Sequence, residues 1–150
     1  MAIKDPYAAG KLSTNPYAKK TPVHGPLVVV LDGQMENRGL ELITPISRCL
    51  RTHDIHELIL TDEAEARPGA KVDRIAYLGF FSVAQGGVLV SGDRVYLNER
   101  PVGVLAGFDE THMPNHLNIV IRTDRRQTGV EFAAELGMNI YFAMPGKGGE

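Results

Sequence analysis

From Leu27 onward the chain is cut into short apolar runs by frequent turn residues, and this spacing constrains the fold more than any other feature. Leu27 to Leu31 is a continuous, Val-rich run that reads as a buried strand, closed by the turn signal Asp32-Gly33. Gly39 to Ile43 and Glu57 to Thr61 read as further strands, with Arg67-Pro68-Gly69 as a turn after them. Arg74 to Ser82 alternates, and both of its faces are apolar, so both are expected to be covered. Val88 to Val90, Arg94 to Leu97 and Val102 to Ala106 follow, separated by Ser91-Gly92-Asp93 and by Asn98 to Pro101. Such short strands on tight turns are the pattern of a meander or barrel. Leu117 to Thr123 and Met138 to Met144 supply the last two strands.

Two helices are predicted between them. Thr44 fits an N-cap and Pro45 the first helical position of a helix running to about Thr52. Thr128 with Glu131 forms a capping-box pattern, Val130, Ala133, Ala134 and Leu136 supply apolar positions, and Gly137 supplies a stop. The expected fold is therefore α+β: a small mixed β-barrel or curled sheet with two short helices. Short strands leave edges to be hidden, by barrel closure or by dimerisation, so a homodimer or higher homo-oligomer is expected.

With 150 residues, 43% of them hydrophobic, the chain fits one globular domain over residues 27–145. Residues 1–26 carry Pro6, Pro16, Pro22 and Pro26 and an excess of lysine, and read as an extended or mobile arm. Residues 146–150 read as a flexible tail. A net charge of −2 with both signs interleaved, and the lack of Trp, argue against a nucleic-acid partner. No apolar run is long enough to span a membrane, and no secretory h-region is visible. Together with the single Cys49, this points to the cytoplasm.

Candidate chemistry concentrates between Phe108 and Asn118, where Asp109, Glu110, Thr111, His112, Asn115, His116 and Asn118 lie between two strands. Gly103 and Gly107 would let a ligand or another backbone come close, and Pro114 fixes a turn. If Met113 to Leu117 makes a helical turn, His112 and His116 share a face and could share a metal. Alternatively one histidine is a general base that Asp109 or Glu110 orients. The plainer alternative is that Asp109, Thr111, Asn115 and Asn118 cap and tie a polar loop.

A second group is Cys49, His53, Asp54, His56 and Glu57, which on a continuous helix would offer a Cys-His-His zinc shell. Its plainer reading is a small buried cysteine and histidines at a helix end. A third is the polar loop Asp32, Gln34, Glu36, Asn37 and Arg38, placed to reach a ligand at a sheet end or simply to face water. Arg122 is the best candidate to hold an anion. Phosphate-loop and dinucleotide fingerprints and the nucleophile elbow are absent, so no cofactor is expected.

Gly92-Asp93-Arg94-Val95-Tyr96, Val102-Gly103-Val104-Leu105-Ala106, His116 and Ile119-Val120-Ile121 together resemble the barrel hairpins of the glucitol/sorbitol-specific IIA component of the sugar phosphotransferase system. The resemblance implies a small, closed, mixed β-barrel that tends to dimerise. That family's phosphorylated histidine lies in a His-Cys-His-Gly-like segment, which this chain lacks, so the resemblance carries architecture only.

These readings converge on a lyase-, isomerase- or cyclase-type acid–base enzyme acting on a small polar or anionic metabolite. His112, His116, Asp109 and Glu110 would be its catalytic residues, with Arg122, Asn115 and Asn118 binding the ligand. The alternative is a non-catalytic small-ligand-binding or phosphocarrier-like barrel.

Overall fold

The structure, a computed structural model, describes residues 20–145. The expected mobile segments therefore lie largely outside the described residues: 1–19 of the arm, and the tail 146–150. Residues 23–26, placed in the arm above, belong to the first strand.

Twelve strands follow in order: β1 (Val23–Val30), β2 (Gln34–Met35), β3 (Leu40–Glu41), β4 (Ser47–Leu50), β5 (Ile55–Thr61), β6 (Lys71–Val72), β7 (Ile75–Ser82), β8 (Gly87–Val90), β9 (Arg94–Leu97), β10 (Arg100–Asp109), β11 (Asn118–Arg122) and β12 (Asn139–Ala143). The described residues contain no helix, so the α+β expectation is corrected: the fold is all-β.

Neither expected helix forms, and in each case the backbone is claimed by other contacts. Ser47 to Leu50 pairs antiparallel with Leu50↔Gly87 to Ser47↔Val90, so its backbone groups are satisfied by β8 rather than within a helix. At Thr128 the capping box does form: Thr128 Oγ1 accepts from Glu131 N at 3.1 Å, and Glu131 Oε1 accepts from Thr128 N at 2.9 Å. The chain nevertheless leaves after one turn, because Val130 and Leu136 are exposed and Ala133 adopts a φ of 61°. Phe132 is the one large apolar side chain this turn buries, and a single anchor gains too little for a helix to propagate.

The large sheet runs β1-β12-β9-β10-β11-β5-β7-β2, and β1 also pairs with β7. Seven strands thus close on themselves into a barrel, and β2 extends the β7 edge. All pairings are antiparallel except β11 with β5. Every barrel strand contributes to one buried cluster that fills the interior, including Leu27, Leu60, Phe81, Leu97, Phe108 and Phe142. A second, smaller cluster lies outside the barrel wall. There Ile59, Ile75, Ala106 and Val120 are covered by Leu40, Leu42 and Val72 from the β3–β6 flap. This second layer explains why β7 and β11 are apolar on both faces. No helix among the described residues is long and apolar enough to cross a membrane.

Candidate functional site

Four neighbouring strands present one residue each at the same level of the outer wall: Phe80 on β7, Glu57 on β5, Asn118 on β11 and Asp109 on β10. The next level consists of Tyr77, Ile59, Val120 and Gly107 and belongs to the apolar outer layer. The polar row therefore forms the rim of that layer, where β10 turns into the loop carrying both histidines. Glu57, Asp109 and Asn118 are all buried.

Asp109 is a hydrogen-bond hub. Its Oδ1 accepts from Thr111 N at 2.9 Å and Asn118 Nδ2 at 3.0 Å, and its Oδ2 accepts from Glu41 N at 3.0 Å. Burial alone would raise this carboxyl, but the bonds from Thr111, Glu41 and Asn118 outweigh it and hold the group below the usual carboxylate range. Asp109 is thus an ionised anchor for β3, β11 and the loop. Neither histidine is among its hydrogen-bond partners.

The loop makes a five-residue turn, closed by His116 N donating to His112 O, and passes through the cis Met113–Pro114 bond. That turn sets the two imidazoles side by side, with ring centroids 5.0 Å apart. His116 Nε2 lies 3.3 Å from Glu57 Oε1, and Asn115 Nδ2 reaches its Nδ1 at 2.9 Å. The edge of Phe80 packs on the same ring. With Nδ1 accepting from Asn115, the ring proton sits on Nε2 and points at Glu57. His112 is exposed, and its Nε2 accepts from Arg38 Nη2 at 3.3 Å, while Arg38 Nε donates to Tyr77 Oη at 3.1 Å.

Burial pushes Glu57 above the usual glutamate range, against the opposing pull of His112 and Arg38. Burial pulls His116 below the usual histidine range. A carboxyl moved up and an imidazole moved down, in contact, come closer in proton affinity, which suits a pair that exchanges a proton.

Other expected site residues lie elsewhere. Glu110 is exposed and pairs with Arg48, tying the loop to β4 instead of facing the imidazoles. Arg122 sits at the far end of β11 from Asn118, about 13 Å along the strand. Its Nη1 donates to Ala66 O, and it lines a separate cleft of about 590 Å³ with Val102, Arg125 and Phe132. Of the second group, Cys49 is exposed rather than a buried hydrophobe, and His53 is exposed in a turn with a φ of 80°. His56 is buried behind the loop. Its Nδ1 accepts from Leu117 N at 3.0 Å, and its Nε2 lies 3.5 Å from Asp54 without hydrogen-bond geometry. Burial lowers its proton affinity against the raising effect of Asp54. Among the described residues no three His, Cys, Asp or Glu side chains come together as a metal would require.

The sequence singled out His112, His116, Asn115, Asn118 and Asp109, and the structure brings all five to this rim. It missed Glu57 and Arg38 as members, having placed each in a different group. A glutamate opening the apolar run Leu58-Ile59-Leu60 was the available signal, since burial of a lone carboxyl demands a partner.

No curated protein and no solved structure matches the chain. One family model does, over residues 17–143, and the chain therefore belongs to that family of unknown function, DUF6917.

Proposed function

We propose that the protein is a small acid–base catalyst, working in the cytoplasm on a small polar or anionic metabolite at the His112–His116 rim. The observation that carries this reading is the joined pair of imidazoles: His116 backed by buried Glu57, and exposed His112 held by Arg38. His112 and Arg38 face the metabolite, with the guanidinium attracting its anionic group. His116 and Glu57 hold and return the proton. A lyase, isomerase or cyclase reaction of the kind that moves a proton at carbon without net redox change fits such a pair. Asn115 and Asn118 fix His116 and the row beneath it instead of touching the ligand, and Arg122 has no part in this site.

The test is proton exchange. Small carboxylates and phosphate esters with an acidic C–H bond are incubated with the protein in D2O and followed by NMR. The expected result is deuterium incorporation into one class of compound, reduced by about 10²-fold or more in His112→Asn/His116→Asn. The reading fails if the double variant exchanges its substrate at the wild-type rate, or if no compound exchanges faster than in buffer. Saturable binding without exchange would favour the non-catalytic ligand-binding or carrier module instead.

A further inference from the structure

Asn118 is fully buried, and its Oδ1 has no hydrogen-bond partner. The orientation of its amide is not free. Asp109 Oδ1 already takes a hydrogen bond from Thr111 N and, as an ionised carboxylate, can only accept. The nitrogen of the Asn118 amide must therefore face Asp109, as its 3.0 Å contact shows, and the oxygen is left without a donor. Flipping the amide would set two acceptors against each other at Asp109 and cure nothing.

The groups around Asn118 narrow the choice of donor. On one side lies Asp109 of β10, and on the other, in register, Glu57 of β5. Phe80 of β7, beyond Glu57, has no polar group to offer. From the loop, both ring nitrogens of His116 are engaged, by Glu57 and by Asn115. His112 and Arg38 meet at the exposed edge of the loop, with Arg38 Nε spent on Tyr77 Oη, whereas Asn118 is fully buried beneath them. His56 is turned to the opposite face of β5, where it accepts from Leu117 N.

We propose that this row is built to hold Glu57 as a neutral carboxylic acid, whose O–H is donated to Asn118 Oδ1, and that Asn118 is the positioning residue for the site's proton. The chain of bonds then runs in one direction without a gap: Asn115 to His116 Nδ1, His116 Nε2–H to Glu57, Glu57 O–H to Asn118, and Asn118 Nδ2–H to Asp109. An ionised Glu57 would leave Asn118 Oδ1 without a proton beside a buried carboxylate. Burial of Glu57 favours the neutral form independently. The catalytic meaning rests on the acid–base reading above, in which Glu57 becomes the proton donor and Asp109 the fixed negative charge. The hydrogen-bond chain itself needs no substrate.

The test is a titration of the Glu57 side-chain carboxyl by 13C NMR on the full chain, in the wild type and in Asn118→Leu. The wild-type midpoint is expected above the ordinary glutamate value of 4.5. In Asn118→Leu, where the neutral form loses its acceptor, the midpoint should fall by on the order of one unit. A wild-type midpoint at or below the ordinary value overturns the proposal. An unchanged midpoint in the variant also overturns it, because burial alone would then account for the shift. Should Asn118→Leu fail to fold, infrared difference spectra of wild type against Glu57→Gln at about pH 5 decide, since an ordinary glutamate is mostly ionised there. A hydrogen-bonded acid C=O band that vanishes in Glu57→Gln supports the proposal, and its absence from the wild type overturns it. Because no substrate is involved, this result and the deuterium-exchange result can fail separately.

Discussion

Three titratable groups at or just behind the rim, buried Glu57 and His56 and half-buried His116, pull stability in opposite directions with pH. His56 and His116 are held by burial below their ordinary value of 6.5, His56 against the raising effect of Asp54. The unfolded chain therefore binds more protons at these sites, and their contribution is fully present above about 6.5 and is lost as pH falls through the lower folded values. Glu57 is raised by burial from its ordinary value of 4.5, so its contribution is present below 4.5 and lost as pH rises through the folded value. Glu57→Gln removes only the second term while keeping the side chain's size. It should match the wild type in urea unfolding below pH 4.5 and become progressively more stable than it at higher pH, levelling off above the folded value of Glu57. A constant difference across that range would mean that Glu57 titrates alike in folded and unfolded chains. The sequence showed which residue types crowd this rim. It did not show that Asp109 is the ionised anchor and Glu57 the imidazole's partner, because that division depends on which strands lie side by side.

Elements bounded by turn residues were legible even where their partners lie far along the chain, as for β7 and β8, and elements whose local pattern also suits a helix were not. The runs at Arg74 to Ser82, Val88 to Val90 and Arg94 to Leu97 appear as strands almost where the alternation puts them, since turn residues on both sides leave little freedom. The two helix signals misled for a common reason: a cap reports how a segment can start, whereas burial decides whether it continues. At Thr128 the cap is fully formed, yet Gly129 N donates to Tyr77 O and Val130 N to Leu31 O, so the barrel claims the backbone of this first turn. Ala133 then turns the chain away at a φ of 61°, a conformation costing a residue with a Cβ about 1 kcal/mol. Ala133→Gly removes that cost at an exposed site. It should raise stability by up to about 1 kcal/mol, visible as a higher urea midpoint with an unchanged slope. A loss of stability would mean that the greater freedom of glycine in the unfolded chain outweighs the relief.

For the molecule as a whole, the closing seam is where β1 meets β7. β1 pairs with β12 through Val23 to Pro26 and with β7 through Leu27 to Val30, with a bulge between Leu27 and Val29. Its backbone comes so near to β7 that a Cβ at Gly79 would lie 2.0 Å from Val29 O, and one at Gly25 would lie 1.9 Å from Ser82 O. Neither contact can be relieved by a side-chain rotation, because the obstacle is backbone. Gly79→Ala should therefore part the seam instead of denting the core, leaving β1 attached through β12 and the β5–β11 pair intact. Native-state hydrogen exchange can separate these outcomes. Protection should fall most at the β1 amides that face β7 and least at Ile119 to Ile121, so that the variant opens along one seam at a free energy below that of global unfolding. The rim should feel the change too, because Phe80 is both a seam partner of Val29 and the ring packed on His116. A His116 imidazole resonance that shifts along with the loss of β1 protection would tie barrel closure to the site. Equal loss of protection on all seven strands would instead show that the barrel opens as one unit, with no weaker seam at β1.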